Sequence, residues 1–414
     1  MENLFLDPTL IIIIAAIVGF FMAYGIGAND VANAMGTSVG SKAITLKQAV
    51  IIAAIFEFLG AYFAGGEVTS TIRKGIVDPA IYTNDVNIFI IGMLSSLLAA
   101  GFWLLIASSR GWPVSTTHSI VGAIVGFVLI SKGASNVSWG TVGNIASSWI
   151  TSPVISGLMA FLLYLSAKYL ILERKNPSQA ATYFIPFYSF FVSAVICLVT
   201  ARKGLKHVGI NWTDNEIYLF TIVISFVVFI LTFLFLFTQS KNIRNVENQF
   251  GILMIVTACA MAFAHGSNDV ANAIGPIAAI VSIVSSDGTI QSSSELNSWV
   301  LLLGALGIVF GLAIMGRHVI KTVGEKITTL TPSLGFSANM ATASTVLAAS
   351  YLGFPISTTH TLVGGVIGVG LAKGYEHLDI NSIKRIFASW IITIPVGATF
   401  TILFYVILRL IFNV

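Results

Sequence analysis

Twelve apolar segments run along the chain, at residues 9–28, 46–66, 86–109, 113–131, 142–172, 181–201, 215–238, 250–264, 297–316, 336–351, 355–372 and 382–412. A helix needs about 20 predominantly apolar residues to cross the hydrocarbon of a bilayer. The pattern therefore predicts an all-α polytopic membrane protein with about twelve transmembrane segments. Segments 250–264 and 336–351 fall short of that length and are expected to be broken or re-entrant. Residues 29–40 and 269–285 are apolar past a short polar interruption, and each is expected to form a second half-helix after a break. The first run, "MENLFLDPTLIIIIAAIVGF", has neither a positive leader nor an A-x-A cleavage site, so it is expected to be a retained span. Its acidic start places it outside.

Composition supports the membrane reading: 56% of the 414 residues are hydrophobic and only 9% charged, against about 25% charged in soluble domains. The net charge of +4 sits in loops, with no basic tract and no nucleic-acid motif, so no nucleic-acid partner is expected. Cys197 and Cys259 lie in apolar runs without metal-ligand spacing and read as small packing residues. If all twelve segments cross from an outside N-terminus, the inner loops hold Lys42, Lys47, Arg110, Lys168, Arg174, Lys175, Lys241, Arg244, Arg317, Lys321, Lys326, Lys373, Lys384 and Arg385. These are fourteen of the 21 Lys and Arg. Cationic loops stay inside, so both termini are expected to be extracytoplasmic.

The segment "GANDVANAMGT" (27–37) returns as "GSNDVANAIGP" (266–276), 239 positions later. "ASSRGWPVSTTHSIVGAIVG" (107–126) returns as "ASYLGFPISTTHTLVGGVIG" (349–368) at an offset of 242, and "SW" (148–149) returns at 389–390. One order at nearly one offset marks a duplicated unit. We read residues 1–172 as a first repeat, 173–249 as two intervening helices, and 250–414 as a second repeat. Five spans per unit plus two between them make seven crossings from one unit's start to the next. Seven is odd, so the second repeat is expected to be inverted, an arrangement typical of secondary transporters.

Each motif suggests its own chemistry. Asn29, Asp30 and Asn33 sit at i, i+1 and i+4, and Asn268, Asp269 and Asn272 repeat them. Intramembrane acids are costly and mark function by default. The flanking glycines are expected to unwind the helix and free backbone carbonyls. A carboxylate, amide oxygens and carbonyls suit a hard cation such as Na⁺. In "PVSTTH" and "PISTTH", a proline and capping hydroxyls are expected to start a helix whose N–H groups and dipole favour an anion. Ser115, Thr116, Thr117, Ser357, Thr358 and Thr359 supply the hydroxyls around it. His118 and His360 read as packing or capping histidines. Gly122, Gly126, Gly364 and Gly368 are expected to allow close helix packing.

These segments, with "FEFLGA" (56–61), "TIRKGIVD" (71–78), "AHGSND" (264–269) and "LTPSLGF" (330–336), resemble the inorganic phosphate transporter (PiT) family of sodium- or proton-coupled symporters. The resemblance covers nearly the whole chain and implies a twelve-span inverted-repeat fold. It implies central roles for Asp30, Asp269, Ser115 and Ser357, with Glu57 and His265 in support. His265 has no counterpart in the first copy, where Ile26 stands. Two departures matter. The large central insert of eukaryotic members is absent, as in a compact prokaryotic form, and Asn339 stands where we would align an acid.

The expected function is import of inorganic phosphate coupled to sodium, with no enzymatic activity, no cofactor and Na⁺ as the coupling ion. Two carboxylates and an anionic substrate repel each other at low dielectric, and one Na⁺ per N-D-x-x-N removes that repulsion. Asn33 and Asn272 are placed at both the cation and the phosphate sites. The site is expected between the repeats, near the membrane midplane, in the inner (plasma) membrane. The alternative is a proton-coupled phosphate or sulfate permease of the same fold. An intramembrane aspartyl protease is disfavoured because the tyrosine-aspartate pattern is missing, and a Ser-His hydrolase because nothing orients the histidine. The expected partners are phosphate, Na⁺ and the lipid bilayer, and a homodimer is allowed.

Overall fold

The computed structural model describes residues 4–204, 212–239, 245–290, 296–320 and 329–414. Lys241, Arg244, Lys321 and Lys326 of the charge argument lie outside them. Among the described residues the fold is helical, with one isolated β-bridge between Val77 and Val137. The first five long helices are α1 (Pro8–Gly40), α2 (Leu46–Ala64), α4 (Val86–Ser109), α5 (Thr116–Ser131) and α6 (Trp139–Ala167), with the short α3 (Gly66–Lys74) between the second and third. Next come α7 (Pro177–Val199) and α8 (Asp214–Gln239). The last five are α9 (Val246–Ser285), α10 (Ser298–Ile314), α11 (Pro332–Tyr351), α12 (Thr358–Lys373) and α13 (Ile380–Phe412). Twelve described helices thus have 16 residues or more, one for each apolar segment. Eight are long and apolar enough to cross a membrane, while α5 and α10 are shorter.

The expected breaks at the two N-D-x-x-N motifs are absent. α1 runs unbroken for 33 residues and α9 for 40, each straight through its motif. The neighbouring glycines serve contact instead of unwinding. A Cβ on Gly27 would strike the Ile308 carbonyl of α10, and one on Gly266 the Glu57 carbonyl of α2. Small residues bring helix backbones together where lipid offers no hydrophobic drive between them. Segment 250–264, read as short, is part of α9, and 336–351 is part of the 20-residue α11.

The repeats interlock by exchange. α1 packs on α10 while α9 packs on α2, and α5 packs on α13 while α12 packs on α6. Corresponding helices run in opposite directions: Gly19 of α1 lies against Ile277 of α9, whereas Asp30 lies near His265. Rising numbers along α1 therefore meet falling numbers along α9.

α4 and α5 form a hairpin that returns to its own side. Asp85 pairs with Lys132 at 2.6 Å at its open end, and Gly92 packs on Phe127 midway. Its turn is set by Gly111, whose φ of 66° is left-handed. The Gly111 N–H donates to the Ser108 carbonyl at 3.0 Å and the Trp112 N–H to Ala107 at 2.9 Å, the pairing that closes a glycine-terminated helix. α11 and α12 repeat this turn at Gly353, with φ 73°. α4–α5 and α11–α12 are thus two matching helical hairpins, one in each repeat. Pro113 and Pro355 lie two residues before the caps, outside the first turn where the motif suggested them, and Ser115 and Ser357 are the caps.

Candidate functional site

The two hairpin turns enter from opposite directions and meet. The Thr117 hydroxyl donates to the Ile356 carbonyl at 3.0 Å, and the Thr359 hydroxyl donates to the Val114 carbonyl at 3.4 Å. Each serine cap accepts from a histidine N–H three residues on, Ser115 from His118 and Ser357 from His360, both at 3.2 Å. The caps hold the start of α5 and of α12 in place. The first-turn N–H groups of both helices consequently face the same buried region, where a helix dipole favours negative charge.

α1 and α9 bring their motifs to these turns with the same geometry in each repeat. Thr116 donates to Asp30 Oδ2 at 2.8 Å, and Thr358 donates to Asp269 Oδ2 at 2.7 Å. Asn33 donates to the Thr359 hydroxyl at 2.8 Å, and Asn272 to the hydroxyls of Thr116 and Thr117 at 3.3 Å each. Asparagine and threonine thus link across the repeats, while aspartate and threonine link within one. Ten of the residues read from the motifs, Asp30, Asn33, Asp269, Asn272 and the six hydroxyl-bearing ones, meet in one buried cluster.

Asn29 and Asn268 stand one step back. Asn29 donates to the Ser108 hydroxyl and the Trp112 carbonyl, and its oxygen accepts the Val114 N–H at 3.2 Å. It ties the α4–α5 turn to α1. Asn268 donates to Ser350 and to the Phe354 carbonyl, but its Oδ1 has no partner. The oxygens Asp30 Oδ1, Asp269 Oδ1, Asn268 Oδ1 and Asn272 Oδ1 are all buried and all without a hydrogen-bond partner. Buried polar atoms rarely stay unpaired in a native protein, and oxygens of these types are the ones a hard cation takes as ligands.

His265 breaks the symmetry. Its Nε2 lies 2.9 Å from Asp269 Oδ2 and 3.9 Å from Asp30 Oδ2, and its Nδ1 lies 3.2 Å from Glu57 Oε2. These are close approaches without hydrogen-bond alignment, since neither ring nitrogen nor either Glu57 oxygen has a bonded partner. Both side chains are fully buried. One imidazole therefore touches Asp269 and the Glu57 carboxylate of α2 and lies near Asp30.

Ser108 and Ser350 escaped the motif reading, although both lie inside the repeated "AS" of the quoted 242-offset segment and each holds its asparagine. The bond from Thr37 to Asn339, and that from Asn339 to Ser38 at 3.2 Å, had no sequence signal, because Pro276 stands in the second copy where Thr37 stands in the first.

The phosphate transporter family model matches residues 26–401. That span includes both motifs and both hairpins. The chain belongs to the phosphate transporter family. A Haemophilus influenzae protein named "Putative phosphate permease" is 52% identical over 407 residues, 97% of either chain. An Arabidopsis thaliana protein, "Inorganic phosphate transporter 2-1, chloroplastic", is 42% identical, covering 97% of this chain and 73% of its own. A solved structure titled "The sodium-dependent phosphate transporter" superposes with a TM-score of 0.91 at 43% identity, covering 97% of this chain and 100% of that one. This chain is thus a multi-pass phosphate transporter and not an enzyme.

Proposed function

We propose that this transporter carries phosphate together with Na⁺, with both bound where the hairpin turns meet. The observation that carries this reading is the set of four orphaned oxygens on Asp30, Asp269, Asn268 and Asn272. Ligand atoms of Asp30 and Asp269 come within 4.8 Å of each other. Two unit charges at such a distance repel by about 3–4 kcal/mol at an effective dielectric of 20. A phosphate between them adds to that repulsion, and Na⁺ at each carboxylate removes it. Cation and anion then raise each other's affinity by the same factor, which is the reciprocity symport needs.

Phosphate would replace the Val114 and Ile356 carbonyls as the acceptor of the Thr117 and Thr359 hydroxyls, so the turns must part to admit it. Asn29 serves as a positioning residue in this scheme. Both repeats, 1–172 and 250–414, supply the site, three of the four orphaned oxygens coming from the second, and none of the site residues falls within 173–249. Because each hairpin returns to its own side, five helices cross between the start of α1 and the start of α9, and the odd count agrees with their opposed directions. With an outside N-terminus, the sequence then assigns thirteen of the 21 Lys and Arg to segments on the inner side and seven to the outer, and Arg110 falls in a hairpin turn. The bias keeps both termini outside, and the inner membrane is the setting we assign.

The test is calorimetric titration of phosphate into purified protein at fixed Na⁺ concentrations, with choline as replacement. Affinity that rises with Na⁺, and Na⁺ affinity that rises equally with phosphate, supports the reading. Affinity indifferent to Na⁺ overturns it. A second reading, proton coupling, has one observation in its favour: His265 touches Asp269 and lies near Asp30, so a proton there could take the place of a cation. In that case affinity would follow pH and ignore Na⁺.

A further inference from the structure

Behind the hairpin turns, on the side away from the aspartates, lies a cavity of about 920 Å³ between α6 and α13, bordered by α5 and α12. Its walls are apolar, and its outer edge carries Ile150 and Ile391, 71% and 74% exposed. On helices of transmembrane length such residues face lipid, so the cavity opens to the bilayer. Its volume lies within the range of small-molecule sites.

Beneath its floor lie two histidines and two tryptophans. His118 and His360 line it side by side, with ring centroids 4.4 Å apart, flanked by Trp149 and Trp390. His118 Nδ1 lies 3.2 Å from the Trp390 carbonyl and His360 Nδ1 lies 3.0 Å from the Trp149 carbonyl. A carbonyl only accepts, so Nδ1 carries the hydrogen of each neutral ring and Nε2 is left as an acceptor. Both Nε2 atoms and both indole Nε1–H groups are buried without a partner, although the histidines are only 2% and 3% exposed. Two unpaired acceptors and two unpaired donors therefore lie just behind an apolar lining, within reach of an occupant that displaces the rings covering them.

We propose that this groove binds a single-chain amphiphile from the bilayer whose head both donates and accepts a hydrogen bond, a protonated fatty acid or a fatty alcohol. A purely apolar occupant, whether a lipid tail or the face of a second copy, fills the sleeve but leaves all four nitrogens unpaired, and unpaired buried polar groups are costly. A charged or bulky headgroup does not suit a site without a charged side chain in its lining. A carboxyl or hydroxyl meets both kinds of nitrogen at once, with the alkyl chain lying along Pro153, Gly157 and Ile394 toward the lipid.

The test uses diazirine-tagged palmitic acid with the full-length transporter in nanodiscs. Photolabel should concentrate on α6 and α13. Excess palmitic acid and hexadecanol should displace it, each arm reporting whether acid or alcohol is held, while methyl palmitate, which accepts but cannot donate, should not. The double variant Trp149→Phe and Trp390→Phe leaves an aromatic ring at each position and removes both donors, and labelling should fall about tenfold. Label spread evenly over α7, α8 and the other exposed helices, or displaced equally by methyl palmitate, overturns the proposal. So does spontaneous cross-linking of Ile391→Cys between two copies with loss of label, which would assign the groove to a dimer contact.

Discussion

Asp30 and Asp269 each give one oxygen to a threonine hydroxyl and hold the other without a partner. Asp30→Asn and Asp269→Asn keep the size and remove the charge. Each is expected to weaken Na⁺ binding about ten- to a hundredfold, the size of one lost charge-assisted interaction, and to abolish most Na⁺-driven uptake. Comparable defects from two near-identical environments are expected in a Na⁺ titration, and wild-type Na⁺ dependence in either variant would refute the paired site. Thr116→Val and Thr358→Val are expected to lower phosphate affinity by a similar factor in calorimetry. From sequence alone, the hydroxyls and the carboxylates read as separate anion and cation sites. The structure joins them, since Thr116 donates to Asp30, so the valine variants should also shift Na⁺ affinity. A bond spanning 86 positions leaves no mark in local spacing. The motif residues themselves were legible because two copies of each polar set stand out in an apolar chain.

At the scale of helices, the glycines carried two meanings in the sequence, breaking and close packing. The structure decides for packing: α1 and α9 are continuous, with Gly27 and Gly266 pressed on neighbouring backbone. Gly27→Ala or Gly266→Ala must push two helices apart, at a cost of about 1–3 kcal/mol. A lower melting temperature is expected for each, whereas Gly143→Ala, with nothing within 4 Å of an added Cβ, should melt like the parent. Equal melting of all three would contradict the contact reading. Hydropathy located every long helix, but it could not tell a helix that crosses from one that turns back. α5 is as apolar as a span, and its 16 residues reach only about 24 Å. What sets it apart is that its turn meets the turn of the α11–α12 hairpin, Thr117 donating to Ile356 and Thr359 to Val114, contacts between residues 239 and 245 positions apart.

For the whole molecule, the duplication was plain from repeat offsets, and inversion followed from parity whether seven or five helices cross between the repeats. Lys42 lies in the turn just after α1 and Ser285 ends α9, and both are exposed. Lys42→Cys and Ser285→Cys are therefore expected to react with a membrane-impermeant maleimide from opposite sides in oriented vesicles, and labelling of both from one side would refute the inversion. Transport turns on the coupling ion: the Asn and Asp oxygens suit Na⁺, and the rival is a proton on His265. Uptake of radiolabelled phosphate into proteoliposomes, with Na⁺ and pH gradients imposed separately, addresses it most directly. Sodium coupling requires that an inward Na⁺ gradient drive accumulation at equal pH and that a pH gradient alone do little. Accumulation driven by the pH gradient without Na⁺, or uptake that ignores both gradients, would contradict it.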